Sequence, residues 1–429
     1  MNLARQIEQY LPRQLLDLVR DINMEVAGRR ERAYLVGGIV RDLLLGMPTP
    51  GSASALRFDL DLVIEGDAVE LAQRVAATGR AGLLARHRFG TAKLRSGTFT
   101  LDLATARRES YARPGALPTV APGTLEDDLA RRDFSINAMA ASLNADDYGE
   151  LMDPHRGQAD LDHGLIRVLH PASFSDDATR ILRAVRYEQR LAFKLEAETD
   201  RLLKRDIPML DTISGDRIRH ELELILKEDR PESAIQRLGE LKALARIGPC
   251  LRGDGRIAGQ FESARGAQKP AQLPWLYFCL LIYECNEREV EQLIARLHTS
   301  AQLTRAMGDT VRLKDRLHLL DRPALKPGDI YDLLHVYDRL AVQAHAIASE
   351  STAVHEHLQL FLTRLHLIRP LLDGDGLKRL GIAPGPEMGR ILQALHRARL
   401  DGEVRTRSDE ERLALELMEA GRGPTIAAD

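Results

Sequence analysis

The chain has 429 residues, 44% of them hydrophobic and 29% charged, with 60 basic against 63 acidic side chains and a formal charge of −3. That length can bury a sizeable core and suggests two to four domains at roughly 150 residues each. Charges interrupt the N-terminal stretch where a secretory leader needs apolar residues, and no run approaches the roughly 20 apolar residues of a membrane span, so a cytoplasmic globular protein with no membrane partner is expected.

In chain order, apolar β-rich runs at Ala33–Val36, Phe58–Ile64, Thr91–Leu94 and Phe99–Ala104 alternate with a helical stretch around Ala68–Ala77, so the first 165 residues or so read as mixed α/β. From Ser173 onward the period changes to 3.6 residues, and Glu221–Leu226, Leu276–Tyr283, Val290–Leu297 and Val354–Ile368 are expected as amphipathic helices. Two glycine-bearing stretches, Arg252–Gln272 and Asp373–Pro386, read as loops or boundaries. Cys250, Cys279 and Cys285 are odd in number and lack C-x-x-C spacing, which predicts buried thiols and neither a disulfide framework nor a zinc knuckle.

The chemistry concentrates in the first half. Gly37-Gly38 follows an apolar strand and precedes Ile39–Leu45, a strand-to-helix turn whose backbone can approach a phosphate closely, with Arg41 one turn on. It matches neither the Walker pattern nor G-x-G-x-x-G, which excludes a P-loop and a dinucleotide fold. Asp59-Leu60-Asp61 places two carboxylates on one face of an extended segment while Phe58, Leu60 and Leu62 face a core. Paired carboxylates of this kind share hard cations such as Mg²⁺ with substrate phosphates. Asp102 stands in the same alternating setting on a second predicted strand and is a candidate third acid.

Arg131-Arg132-Asp133, followed by Asn137, reads as the start of an apolar helix, with Arg132 available to a triphosphate or to sugar hydroxyls. Ser175-Asp176-Asp177 reads as the capped, acidic start of another, in which Ala178, Ile181, Leu182 and Val185 form an apolar face and Asp177, Arg180, Arg183 and Arg186 lie on the other side. Asp177 and Arg180, at i and i+3, set an acceptor beside a donor. Cytosine and adenine each present an amino donor next to a ring-nitrogen acceptor and so match that edge, whereas uracil and guanine reverse it. A buried mismatch costs about 1–3 kcal/mol.

Taken in order, Leu35–Gly46, Asp59-Leu60-Asp61, Arg131–Ala140 and Asp176–Tyr187 resemble the class II tRNA nucleotidyltransferase and bacterial poly(A) polymerase family, within the DNA polymerase β-like nucleotidyltransferases. Ser214–Leu222, which contains Arg217 and Glu221, looks like the helix-stabilising motif that follows. The resemblance implies an α+β fold: a nucleotidyltransferase head (1–165), then an all-α neck with the base-reading helix (166–228), body (229–300) and tRNA-binding tail (301–429). It implies Mg²⁺ on Asp59 and Asp61, Asp102 as third acid, and nucleotide contacts from Gly37, Gly38, Arg41, Arg132, Asp133, Asn137, Asp177, Arg180, Arg183 and Arg186. The chain departs from the family in having Asp176-Asp177 where Glu-Asp is usual, and a longer approach to the acid pair at Met47–Arg57. It has no His-Asp dipeptide, so the phosphohydrolase domain of some relatives is not expected.

The function implied is template-independent transfer of CMP and AMP from CTP and ATP to a tRNA 3′ end, as complete CCA or only its CC or A part. The length of Arg107–Leu125, where the family has a loop linked to the switch from C to A, favours complete CCA. The expected partners are tRNA and the two triphosphates, with no stable protein partner. The alternatives are a poly(A) polymerase, which shares the head motifs, a transferase acting on small metabolites, and an inactive RNA-binding scaffold, which would need none of the carboxylates.

Overall fold

The computed structural model describes residues 1–29, 31–46, 59–87, 90–110, 119–267, 272–322 and 324–421. The chain forms two units, Met1–Ile225 with Glu240–Ile247, and Leu226–Gly239 with Gly248–Asp429.

The first unit is built on a seven-stranded mixed sheet of order β3-β4-β5-β2-β1-β8-β9. Its elements open with α1 (Ala4–Tyr10), α2 (Arg13–Ala27), β1 (Arg32–Val36), α3 (Gly38–Leu44), β2 (Asp59–Glu65) and α4 (Ala68–Ala77). There follow β3 (Gly82–His87), β4 (Thr91–Ser96), β5 (Phe99–Thr105), the hairpin β6 (Arg107–Ser110) and β7 (Thr119–Pro122), α5 (Leu125–Ala130), β8 (Ala140–Ser142) and β9 (Leu151–Met152). After the sheet come α6 (Gly157–Asp162), β10 (Leu165–Ile166), α7 (Ser173–Asp176), α8 (Thr179–Arg190), β11 (Lys194–Leu195), α9 (Ala197–Asp206) and α10 (Gly215–Leu226).

Alternation sets the sheet. In β2, Leu60, Leu62 and Ile64 are buried and Asp61 is exposed; in β5, Phe99, Leu101 and Leu103 are buried and Asp102 is half-buried. The helix α4 covers the predicted span, buries Ala68, Leu71, Ala72 and Val75 at helical spacing, and is capped by Asp67, which accepts from Val69 N and Glu70 N.

Two local expectations are corrected in this unit. Arg131–Ala140 does not start a helix: Arg131 ends α5, Ser135–Asn137 is a single 3₁₀ turn, and Ala140 opens β8. Because β8 lies between β1 and β9, its residues are buried on both faces and the period of two disappears, leaving an Ala- and Met-rich run that resembles a buried helix. The Ser175–Tyr187 helix is likewise broken. Asp177, at φ −141° and ψ 97°, separates α7 from α8 and caps α8 by accepting from Thr179 N. Ala178, Ile181, Leu182 and Val185 are buried as expected, but Arg180 is buried with them.

The second unit is helical: α11 (Pro231–Glu240), with α12 (Ala243–Ile247) belonging to the first unit, then α13 (Gly255–Ala267), α14 (Leu273–Leu281), α15 (Glu287–Leu297), α16 (Ala301–Lys314) and α17 (Leu317–Leu320). It continues with α18 (Pro327–Leu334), α19 (Arg339–Ala348), α20 (Thr352–Thr363), α21 (Gly374–Arg379), α22 (Pro386–Leu400) and α23 (Arg407–Gly421). Its cores are apolar, one around Leu334, Val342, Leu358 and Leu365, another around Leu377, Ile391, Leu395 and Ala414. Arg252–Gln272, expected as a loop, contains α13, because Ile257, Phe261 and Ala264 form a buried stripe and Phe261 stacks on Tyr277 at 4.2 Å. In Asp373–Pro386, Asp373 caps α21 by accepting from Gly376 N, and only the remainder is loop. Cys250 and Cys285 are joined as a disulfide, against the expectation of thiols, while Cys279 is a buried thiol whose pKa burial pushes up to about 12. Among the described residues no helix is long and apolar enough to cross a membrane.

Candidate nucleotide-transfer site

One end of the sheet gathers the predicted chemistry. The strand β1 pairs antiparallel with β2 as far as Leu35 and Leu62, so the turn after β1 emerges beside Asp61. The strand β2 runs parallel to β5 with Asp59 aligned to Thr100 and Asp61 to Asp102, which places Asp61 and Asp102 side by side on the sheet. Lys93 of β4 reaches Asp102 Oδ2 at 3.0 Å. The Asp59 side chain, the approach at Met47–Arg57 and the segment 111–118 lie outside the described residues.

The turn is lined by guanidinium groups. Gly37 adopts φ +77°, a conformation L side chains rarely take, and a β-carbon there would stand 2.7 Å from Arg132 Nη1. At Gly38 a β-carbon would meet Arg41 Nη2 at 3.5 Å. Arg132 Nη2 donates to Asp128 Oδ2 at 3.1 Å, but its Nε is buried without a hydrogen-bond partner among the described residues. An unmet buried donor on a cation, beside a residue with no side chain, is a place where an anionic oxygen gains a charge-assisted bond.

Arg41 is 3% exposed and donates to Asn137 Oδ1 at 2.8 Å and to Asp42 Oδ1 at 2.9 and 2.7 Å, with its guanidinium 5.4 Å from the centre of the Tyr187 ring. Asn137 Nδ2 donates to Asp133 Oδ1 at 3.1 Å, and Asp133 Oδ2 accepts from Arg183 Nε at 2.8 Å. Burial opposes ionisation of Asp133, yet Arg183, then Asn137 and Arg180, hold its carboxyl below the usual carboxylate range, and Asp133 in turn raises Arg183. Arg183 and Arg186 both reach Glu221 of α10, at 3.6 and 3.5 Å.

The structure does not join the side chains of Asp177 and Arg180. Arg180 Nη1 donates to Ser173 Oγ at 2.6 Å and Nη2 to the Arg131 carbonyl at 2.7 Å, while Asp177 Oδ2 is paired with Arg217 at 2.7 Å. The i, i+3 argument fails here because Asp177 precedes the helix, so only its backbone oxygen meets Arg180, whose N–H donates to it at 3.1 Å.

Sequence reasoning missed Asp128, fully buried beneath Arg131 and Arg132, although its i+3 and i+4 spacing to them was legible. It also missed Tyr187, which faces both Arg41 and Arg186, and Lys93, which only strand pairing brings to Asp102.

Residues 33–167 match the model of the poly(A) polymerase head domain, and 192–253 that of the probable RNA- and SrmB-binding site of polymerase A. The A-adding tRNA nucleotidyltransferase of Halalkalibacterium halodurans is 33% identical over 97% of this chain and 95% of its own length. The chain belongs to the tRNA nucleotidyltransferase and poly(A) polymerase family. The A-adding enzyme of Geobacter sulfurreducens is 34% identical over 96% of this chain, which spans about half (48%) of that longer protein. The fold is that of a CCA-adding enzyme solved in an apo form, with a TM-score of 0.78, 28% identity, and 98% and 99% of the two chains covered. Nucleotidyl transfer in this family generally depends on a divalent metal, and the donor set fits: Asp61 and Asp102 offer hard carboxylate oxygens on adjacent strands.

Proposed function

We propose that the chain transfers nucleotides from CTP or ATP to the 3′ end of tRNA without a template, releasing pyrophosphate. The observation that carries this reading is the guanidinium-lined Gly37 turn, with the unmet Arg132 Nε, at the sheet end where Asp61 lies beside Asp102. Arg132 and Arg41 bind and orient the triphosphate, Asp59 and Asp61 hold Mg²⁺ with Asp102 as the third acid, and Asp133 and Asn137 keep Arg41 and Arg183 in place. When bound, the metal activates the terminal 3′-hydroxyl and neutralises charge on the phosphates. Asp177 and Arg180 read the base edge once Arg180 turns from Ser173, with Arg183 and Arg186 lining the same side.

The division into head (1–165), neck (166–228), body (229–300) and tail (301–429) is part of this reading and is supported by the head-domain match to 33–167. A tRNA partner is supported by the fold's likeness to a Thermotoga maritima CCA-adding enzyme complexed with tRNA, at a TM-score of 0.72 and 27% identity. A cytoplasmic location accords with that substrate.

Partial addition is favoured over complete CCA by identity, with A-adding relatives at 33–34% and a CC-adding enzyme of Deinococcus radiodurans at 33% against 28% for a CCA-adding relative, and addition of the terminal A alone is favoured within it by three A-adding relatives. Complete CCA addition is the second reading, favoured by the length of the β6–β7 hairpin region. The test offers tRNA ending at the discriminator base, the first C or the second C, with CTP, ATP or both. Extension of only the CC end by one A supports A addition, three additions to the bare end support CCA, extension that stops after two C residues means CC addition, and long A tails on unrelated RNA overturn all three for a poly(A) polymerase.

A further inference from the structure

The α10 arginines divide their partners. Arg219 pairs with Asp216 and Glu223 on its own helix, whereas Arg217 Nη2 crosses to Asp177 Oδ2 at 2.7 Å. Asp177 is held from the other side as well, its Oδ1 accepting from Thr179 N at 3.0 Å and Thr179 Oγ1 at 2.6 Å. A carboxylate offers about four lone-pair sites. The bonds to Thr179 N, Thr179 Oγ1 and Arg217 occupy three, so among the described residues one remains, on Oδ2 next to the Arg217 guanidinium. Both side chains are half-buried, 30% and 19% exposed, so the pair is screened less than a fully exposed ion pair.

We propose that Arg217 is a positioning residue for base choice: together with Thr179 it fixes the Asp177 carboxylate so that a single acceptor site faces the nucleotide. The inference rests on the nucleotidyl-transfer reading above. A fixed acceptor with one open lone pair takes one amino N–H, as cytosine and adenine supply, and meets uracil O4 or guanine O6 with lone pair against lone pair. A carboxylate released from Arg217 rotates and accepts water instead, so the mismatched bases lose their disadvantage. Arg217 lies in the 192–253 segment matched to a probable RNA-binding region, whereas this geometry directs it to the incoming nucleotide.

The test is kcat/KM of wild type, Arg217→Ala and Arg217→Lys for CTP, ATP, UTP and GTP on the tRNA end that wild type extends. Inhibition by inorganic tripolyphosphate, which has no base, and a thermal melt accompany it. The expected result is a loss of about tenfold in the preference of Arg217→Ala for its amino-bearing substrate over UTP and GTP, the size of one misplaced hydrogen bond. Tripolyphosphate inhibition stays unchanged and Arg217→Lys restores part of the preference. If Arg217→Ala does not fold, the Lys variant carries the test through an intermediate preference. Full wild-type discrimination in a folded Arg217→Ala overturns the inference, as does an equal loss for all four nucleotides with weakened tripolyphosphate inhibition. Failure of wild type to incorporate any nucleotide overturns the nucleotidyl-transfer reading itself, and this inference with it.

Discussion

Around the glycine turn, Arg41, Asp133, Asn137, Arg180 and Arg186 are all buried, together with the fully buried Asp128. In the helical unit the cores around Leu358 and Leu395 are apolar, and among the described residues fewer polar groups are buried: Glu410 accepts from Leu371 N and Leu372 N, His345 bonds to the Thr310 carbonyl, Asp309 pairs with Arg312, and the side-chain oxygens of Gln260 and Gln343 find no hydrogen-bond partner. Buried ion pairs are weak stabilisers, because desolvation offsets most of their attraction, whereas apolar burial stabilises directly at about 25 cal/mol per Å². The concentration of buried charge therefore marks where the molecule carries chemistry, and the apolar helices mark where it carries fold.

The contrast can be broken from the charged side first. Asp61→Ala removes an exposed carboxylate whose strand neighbours, Leu60 and Leu62, keep the core intact. Incorporation of labelled CTP and ATP should fall by at least about 10³-fold, several kcal/mol of lost transition-state stabilisation, with an unchanged melting temperature. Near-wild-type incorporation would sink the metal assignment.

The helical side should respond in reverse. Leu358 is fully buried in the core with Leu334 and Val342, so Leu358→Ala should cost about 2–5 kcal/mol of stability in a denaturant melt. Below the new melting temperature its kcat for nucleotide incorporation should stay within about twofold of wild type, since no reacting group moves. A loss of kcat in a folded variant would blur the division between the two regions.

This division also separates what the sequence revealed from what it hid. Asp61 and Asp102 were legible because Leu60-Asp61-Leu62 in β2 and Phe99–Leu103 in β5 alternate buried apolar residues with less buried ones, and α4 because its buried stripe keeps a helical period. The strand β8 was hidden because burial on both faces erased its period, and the break at Asp177 because a capping aspartate and a helical one look alike in composition. Cys250 and Cys285 are 35 residues apart and meet only because helices fold back between them, so spacing carried no signal for the disulfide. Arg180 was placed opposite the buried face because a bare helical wheel cannot show the Ser173 hydroxyl and Arg131 carbonyl that make its burial affordable.

A pH measurement sharpens the helical side. His345 is fully buried, bonded to the Thr310 carbonyl and 3.2 Å from Tyr283 Oη, and burial lowers its pKa from 6.5 to about 4. Its folded pKa lies below its unfolded one, so the unfolded chain takes up the proton first. The stability due to the neutral ring is complete above pH 6.5 and is lost as pH falls towards 4, by roughly 3 kcal/mol over the window. The midpoint of a urea melt should decline across that range, and His345→Gln should flatten the decline. An identical slope in the variant would remove His345 as its cause.

The smallest expected effect divides the charged region itself. Arg41 stands against Gly38 and is bonded to Asn137 and Asp42, whereas Asp177 caps α8 and faces Arg217. In Arg41→Ala all four triphosphates lose the same phosphate contact, so binding should weaken about equally for each while their order is kept. In Asp177→Ala the base acceptor and the α8 cap disappear together. The cap accounts for about 1 kcal/mol of stability, and the acceptor for about tenfold in the preference for amino-bearing bases. The two are separated by Asp177→Asn, which retains an oxygen for Thr179 N and so most of the melting temperature, yet lacks the charge that pairs with Arg217. If Asp177→Asn melts like wild type and discriminates like Asp177→Ala, base choice resides in the carboxylate. If it also discriminates like wild type, the carboxylate at position 177 serves the helix alone, and base reading must be sought among Arg180, Arg183 and Arg186.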